Sequence, residues 1–482
     1  MRRSRSKTLK DFCAGSCVGP SPIRQGLINR SIRLYVLAAT ALMLACSSVA
    51  AETVRASRIV EFLNTLGING QIGGNGTPYL NASGVVADAQ YLAIQNWRDS
   101  LSAQSPSQLE SLRALVNANI SLVGIPLENQ SITVSDHINR AKVWASLGPY
   151  ALMALEGPNE PNNFPITYNG TSTGAAGSPS TFMPVAQFQR DYYQAIRRDP
   201  VLNTKPLWSV SLIGSQPNNV GLQYLTIPWG LSDVQMPGGT VYADVANLHF
   251  YPMYASGAQT VDEATNRIDT FFDSNFVRTY ARGFSGYSPE NADALPKVIT
   301  EFGYPATGGT PYGFTVDIPT QGKNILTGLF NAWAAGYQHV YIYALYEAGD
   351  GFGLFWNSYS PKLSATYMHN LTSVLADTDW NAWHFTPGQL SYTVSSLPWT
   401  GKSYLFQKSN GNFALLLWNN VANWNFSAGT PLWVNPTDVT VSFDTTASSI
   451  AVYDPTSGTA PVKSAANTNS IRVPLSDYPM VV

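Results

Sequence analysis

Eight short apolar runs, separated by segments with helical spacing, fill the chain from about residue 55 to residue 375. The runs are 68–72, 91–97, 121–126, 151–155, 207–213, 245–250, 297–302 and 340–345. They lack the strict alternation of a half-exposed strand, as strands buried on both faces do. Helical spacing covers 55–66, 105–119, 136–147 with Ser135 as its cap, 184–198 and 320–335. Eight strands alternating with helices make the pattern of a (β/α)8 barrel, an α/β architecture. A doubly wound sheet is the rival. If it bound a dinucleotide it would need a glycine-rich turn after its first strand, and neither GxGxxG nor GxxxxGK[ST] occurs.

Beyond about residue 380 the runs 390–394, 403–407, 413–418, 439–443, 450–453, 471–474 and 480–482 are bounded by Gly, Asn, Pro and Asp. This is the pattern of an antiparallel β-sandwich. The expected division is a leader over 1–51, a barrel over 52–378 and a sandwich over 379–482, with no linker-like tract between the last two. Trp380, Trp383, Trp399, Trp418, Trp424 and Trp433 lie in the sandwich. Their favoured role is to cement it to the barrel; the alternative is a carbohydrate-binding module.

The leader holds eight of the 28 basic residues and one of the 30 acids. It precedes an apolar run over 34–45, then Ser47-Ser48-Val49-Ala50-Ala51. That run is shorter than the roughly 20 residues a membrane span needs. Basic, apolar, then small is the order of a secretory signal, with cleavage after Ala50 or Ala51 and a secreted or periplasmic product. The rival is a lipoprotein signal ending at Cys46, which Met43 fits poorly. Cys13, Cys17 and Cys46 all lie in the leader, so the rest of the chain rests on its apolar core. The five histidines form no HxxxH or HxH pair, and neither metal nor cofactor is expected. After the leader, 20 basic residues face 29 acidic ones. Charged residues make up 12% of the chain, about half the usual share, and aromatic residues another 12%. Such a composition suits a neutral, hydroxylated ligand and not nucleic acid, which demands a basic face. The chain is expected to be a monomer without a membrane span.

Catalytic groups of a (β/α)8 barrel sit at the carboxyl ends of its strands. The fourth run leads into Glu156-Gly157-Pro158-Asn159-Glu160-Pro161, and the seventh contains Thr300-Glu301-Phe302-Gly303. Two carboxylates at strand ends of one barrel are what glycoside hydrolysis needs. One protonates the leaving oxygen; the other attacks or activates water. Alone, either acid reads equally as a turn or a structural ion-pair partner.

Asn159-Glu160-Pro161 and Thr300-Glu301-Phe302-Gly303 resemble the two catalytic motifs of the clan A retaining glycoside hydrolases. A barrel followed by a sandwich resembles families 39, 30 and 79 of that clan. The resemblance implies Glu160 as acid/base, Glu301 as nucleophile and Asn159 on the substrate 2-hydroxyl. His249-Phe250-Tyr251 resembles the clan's His-x-Tyr, with Tyr251 holding Glu301, and Arg98 resembles its arginine beside the nucleophile. Each has a bland alternative: a core histidine, a turn before Pro252, a surface pair of Arg98 with Asp99 or Glu110.

Trp356 and Glu347 follow the eighth run and are candidates to rim the cleft, Trp356 as a sugar platform or a core residue. Trp97 and Trp229 are weaker platforms. The polar stretches 162–182 and 215–239 are candidates to wall subsites. The expected function is an exported retaining hydrolase of a poly- or oligosaccharide. The alternatives are a transglycosylase and a non-catalytic carbohydrate-binding protein.

Overall fold

The computed structural model describes residues 51–74, 76, 78–126, 133–161, 164–172, 183–211, 240–251, 296–306, 315–426 and 428–482. Residues 1–50 with their cysteines, the stretch 215–239 with Trp229, and most of 162–182 lie outside the described residues. In chain order the elements are β1 (Glu52–Arg55), β2 (Ser57–Arg58), α1 (Ile59–Leu63), β3 (Leu66–Asn69), α2 (Ala82–Tyr91), β4 (Asn96–Ser100), α3 (Pro106–Asn117), β5 (Ser121–Ile125), α4 (Val134–Ala145) and β6 (Leu152–Glu156). Then come β7 (Thr167–Tyr168), β8 (Thr171–Ser172), α5 (Met183–Arg198), β9 (Leu207–Trp208), β10 (Ala246–Phe250), β11 (Lys297–Phe302), α6 (Ile318–Ala334), β12 (Tyr337–Ile342) and α7 (Leu363–Leu375). The last are β13 (Gln389–Ser395), β14 (Gly401–Gln407), β15 (Phe413–Asn419), β16 (Trp424–Asn425), β17 (Thr430–Pro431), β18 (Thr437–Tyr453), β19 (Pro461–Leu475) and β20 (Met480–Val481).

Eight strands run parallel in the order β10-β11-β12-β3-β4-β5-β6-β9. A Trp208–Val245 bridge joins β9 to β10, and the Ser209 N–H donates to the Val245 carbonyl at 3.0 Å. This closes the (β/α)8 barrel that the eight runs predict. Outward residues such as Ile68, Leu122, Leu155 and Ile299 pack in the large cluster shared with the helices. Inward ones, Val123, Ala154, Trp208, Val245, Val298 and Tyr341, fill the lower interior.

Local detail departs from expectation in several places, and β3 ends at Asn69 rather than at Ile72. The run 91–97 begins in helix: Asn81 caps α2 by accepting the Gly84 N–H at 3.2 Å, and Val85, Ala89 and Leu92 bury one face. The strand starts only at Asn96, which places Arg98 within it. Helix α4 is capped by Thr133, whose hydroxyl accepts the Asp136 N–H at 3.3 Å, so Ser135 lies in its first turn. Residues 52–58, expected at the head of the barrel, instead form β1 and β2. They pair with β13 and β14, because tertiary strand pairing overrides weak local helical spacing.

The second large sheet has the order β1-β13-β18-β20-β15-β14-β2, with β19 on β18. Strands β18 and β19 form a long hairpin whose register slips after Ser442. One end of β18 pairs with β13 and the other reaches β20 at Tyr453. The sheet thereby wraps a core of Leu415, Leu417, Val441, Val452 and Val473 as a sandwich. It joins the barrel through Phe406 against Phe62 at 5.7 Å and Trp418 against Phe330 at 5.9 Å, ring centroid to ring centroid. Trp418 and Trp424 are buried in this shared cluster. Trp380, Trp383, Trp399 and Trp433 are exposed, so the cementing role fits only two of the six tryptophans. Among the described residues no helix is long and apolar enough to cross a membrane.

Candidate active site

Along β11, Val298 faces the barrel interior and Ile299 packs outward. Strict alternation turns Thr300 inward and sends Glu301 out with Ile299. The strand breaks that rule. Leu248 opposes Ile299 but His249 opposes Glu301, and on the other side Ile299 opposes Val340 but Phe302 opposes Ile342. This bulge gives β11 one residue more than either neighbour, so Thr300 and Glu301 both reach inward.

The fourth barrel strand delivers its acid differently. Beyond β6, Asn159 bridges to Ser211, and the Glu160 N–H donates to the Ser211 carbonyl at 3.0 Å. Glu160 has φ +41°, in the left-handed region that non-glycine residues rarely adopt, at a cost of about 1–3 kcal/mol. The turn aims its carboxylate at His249, whose Nδ1 lies 2.8 Å from Glu160 Oε1 and 3.4 Å from Glu301 Oε2.

Arg98 ties the layer together. Its Nε and Nη2 donate to the two oxygens of Glu156 at 2.7 and 2.9 Å. Nη1 donates to Asn69 Oδ1 at 2.7 Å and to Glu301 Oε1 at 2.8 Å, and Nη2 also reaches Asn159 Oδ1 at 2.7 Å. Both partners of the Arg98–Glu156 pair are buried, with side chains 2% and 0% exposed. Thr300 Oγ1 lies within donating distance of Glu156 Oε1 and Asn247 Oδ1, at 3.2 and 2.7 Å. The Tyr251 hydroxyl donates to Glu301 Oε2 at 2.6 Å. The tyrosine ring is set by edge contacts with Phe352 and Tyr343, 5.3 and 6.3 Å between centroids.

Electrostatics follow from these contacts. Burial pushes the Glu301 carboxyl up, but the His249 and Arg98 cations and the Tyr251 and Arg98 hydrogen bonds outweigh it and hold it below the usual carboxylate range. Burial pushes His249 down, and the Glu301 and Glu160 carboxylates more than reverse this, leaving it raised. Glu301 is thus kept ionised beside an imidazole that favours its charged form.

One ligating oxygen each of Glu160 and Glu301, and one His249 nitrogen, all lie within 4.8 Å of one another. Three such atoms resemble a metal set. Arg98 and Tyr251 already occupy the two Glu301 oxygens, so the protein itself meets that charge. The two acids open onto a cleft of about 350 Å³ at the carboxyl ends of the strands. Its lining includes Arg98, Asn159, Tyr251, Gln71, Tyr343 and Asp350. Behind it Asp99 accepts the Ile72 and Gly73 N–H groups at 2.7 and 3.0 Å and fixes the loop after β3. Gly70 in that loop lies flat on the Trp97 ring, where a Cβ would come within 1.9 Å of the indole.

Of the residues singled out in the sequence, Glu160, Glu301, Asn159, Arg98, His249 and Tyr251 come together. Three others do not. Glu347 is a loop staple: its carboxylate accepts the Gly349 and Gly351 N–H groups and pairs with Lys362. Trp356 is 40% exposed with Lys362 Nζ 4.4 Å over its ring, outside the cleft lining. Trp97 is fully buried. Sequence reasoning missed Glu156 and Asn69. For Glu156 the available signal was its place directly after the run 151–155, where barrel strands deliver functional groups. Asn69 lies inside the run 68–72, and only the observed end of β3 marks it.

Neither a protein-family model nor a curated relative matches the sequence. Solved structures do match in fold. The chain is similar to a family 39 β-xylosidase from Caulobacter crescentus, with TM-score 0.53 and 12% identity over 89% of this chain and 97% of that one. It is also similar to the family 39 enzyme from Xanthomonas axonopodis pv. citri, with TM-score 0.52 and 15% identity over 89% of this chain and 94% of that one. The likeness is one of fold, and it extends over most of both chains.

Proposed function

We propose that this chain is a retaining glycoside hydrolase that cleaves O-glycosidic bonds of a poly- or oligosaccharide by double displacement. The observation that carries the reading is the approach of Glu160 and Glu301 to within 4.8 Å, oxygen to oxygen, at one cleft. Retaining pairs stand about 5–5.5 Å apart, inverting pairs about 6.5–9.5 Å. Glu301, ionised and gripped at both oxygens, attacks the anomeric carbon. Glu160 gives its proton to the departing oxygen, and the His249 N–H faces the carboxylate that this leaves. In the second step Glu160 takes a proton from water, which releases the sugar with its configuration kept. Asn159, oriented by Arg98, is placed to bond a substrate hydroxyl beside the reacting carbon.

The basic leader and its apolar run support an enzyme that works outside the cytoplasm. A panel of aryl glycosides and neutral polysaccharides tests the activity, with Glu301→Ala as control. Release of reducing sugar by the wild type alone supports hydrolysis. Binding without release points to a non-catalytic protein, and longer oligosaccharide products point to transglycosylation. The mass of the mature N-terminus tests export, with cleavage expected after Ala50 or Ala51.

A further inference from the structure

The amino end of the barrel, opposite the cleft, carries a second concavity of about 500 Å³. Its walls come from α1, the turn before β3, the end of α6, the start of β12 and the segment between α7 and β13. The residues that matter are Glu61, Asn64, Trp333, Gln338, His339 and Trp383. They amount to two indoles, one carboxylate, two carboxamides and an imidazole that burial pushes down to about 4 and so keeps neutral.

The walls are held in place without a ligand. Arg58 Nη1 donates to Glu61 Oε1 at 2.6 Å, and Arg58 Nε donates to the Phe385 carbonyl at 2.7 Å. One guanidinium therefore fixes both the acid and the turn that carries Trp383. The turn is closed by the Phe385 N–H on the Asn381 carbonyl at 3.1 Å and anchored by buried Ala382. Trp333 is set by an edge contact with Phe62 and a tilted one with Phe406, 6.1 and 6.0 Å between centroids. Trp383, by contrast, is 49% exposed, whereas Trp418 at the same barrel–sandwich junction is fully buried. Leaving indole area in water forgoes about 25 cal/mol per Å². A tryptophan needed only for packing would be buried as Trp418 is.

The chemistry of the lining selects the occupant. Arg58 offsets Glu61, among the described residues the lining holds no other charged group besides this carboxylate, and the imidazole is neutral. An anion finds no free cation, and a metal ion finds one carboxylate. A pyranose ring matches: an apolar C–H face for an indole and hydroxyls for a carboxylate and amides. We propose that this pocket is a second carbohydrate-binding site, which takes a neutral pyranose unit of a polysaccharide chain on Trp383 with its hydroxyls bonded to Glu61 and Gln338. Being at the far end of the barrel, it holds the protein on a polymer without touching the reacting bond. Preorganised walls reduce the ordering cost of such a contact. The site does not depend on the hydrolase reading, since sugar binding there needs no chemistry in the cleft.

Native affinity electrophoresis of the full chain tests it, in gels cast with a soluble mixed-linkage glucan, a xylan or a galactomannan. The wild type should be retarded in at least one gel. Trp383→Ala should weaken that retardation about tenfold or more, as loss of an aromatic anchor does. Glu61→Gln should weaken it several-fold, while Trp399→Ala, at an exposed tryptophan outside the pocket, should leave it unchanged. Hydrolysis of a short aryl glycoside should be the same in all four proteins. Retardation that survives both Trp383→Ala and Glu61→Gln, or no retardation of the wild type in any gel, overturns the proposal. So does a wild-type dimer that Trp383→Ala dissolves without any change in retardation, which would assign the pocket to contact between copies. Retardation that depends on Trp383 in a chain that hydrolyses nothing upholds it and removes the hydrolase reading instead.

Discussion

Two histidines look into the same barrel from opposite ends, and their surroundings separate chemistry from packing. His249, at the carboxyl end, is fully buried between Glu160 and Glu301, and those carboxylates leave it raised. His339, at the amino end, lies 3.4 Å from the Asn96 amide and stacks near Trp208, 6.0 Å between centroids. A backbone hydrogen bond at Asn64 opposes burial only weakly, and the imidazole falls to about 4. Burial acts on both in the same direction; neighbouring charge decides the outcome. The upper interior collects Arg98, Glu156 and Glu301 with their amide and hydroxyl partners, and the lower interior is filled by Val123, Trp208, Val298 and Tyr341. Among the described residues the barrel interior gathers its ions in the upper layer and pairs each of them there, while the lower layer of the interior is packing.

The sharpest way to break this contrast is to remove one group from each end. Glu301→Ala should lower kcat by roughly 10,000-fold or more, since every turnover loses its nucleophile. His339→Gln should leave kcat within about twofold. Steady-state kinetics on whichever glycoside the panel identifies compares them, and a large loss in His339→Gln would dissolve the distinction.

Stability gives the next largest effect. Glu156→Gln leaves the Arg98 guanidinium buried with half its charge partner gone, and should cost about 3–5 kcal/mol in denaturant unfolding. An unchanged midpoint would mean that the Arg98–Glu156 pair is not what holds the upper layer.

Opposite pKa shifts predict opposite pH dependences. His339 binds its proton near pH 4 when folded and near about 6.5 when unfolded. Between those values the unfolded chain holds more protons, so stability rises with pH through that window, by a few kcal/mol at most. His339→Gln should flatten that slope. His249 has a raised folded pKa, so its contribution is complete below about 6.5 and lost as pH climbs through the folded value. Urea midpoints from pH 4.5 to 8 for the wild type, His339→Gln and His249→Gln check both signs.

The smallest change is the most local. Tyr251→Phe takes one donor from Glu301 and leaves Arg98 and His249 in place. The depressed Glu301 pKa should rise, moving the acid limb of kcat/KM upward by about one unit or less. A downward shift would mean that Tyr251 does not stabilise the ionised form.

The two acids were legible because each stands in a short motif where an apolar run ends, and barrel topology brings such ends together. Much of the barrel was legible from its apolar runs for the same reason. Less was visible where a residue's meaning depends on a distant partner. Glu156 looks like any charge at a strand end until Arg98 is seen to grip both its oxygens. The bulge that turns Glu301 inward is a matter of register between three strands, which no single strand's sequence encodes. Residues 55–58 read as the start of a helix over 55–66 because their pairing partners, in β13 and β14, come from the other end of the chain. Glu347 read as a rim residue because its backbone partners, Gly349 and Gly351, are set by the fold of its own loop.

The central claim is that Glu160 and Glu301 divide the work of one double displacement. Glu160→Ala, given an aryl glycoside whose phenolate leaves without a proton, tests it directly. The glycosyl-enzyme should form on Glu301 and accumulate, because water now lacks its general base. Azide needs no base, so it should restore turnover and yield a glycosyl azide of retained configuration. An inverted azide, or rescue in Glu301→Ala with none in Glu160→Ala, would contradict the assignment.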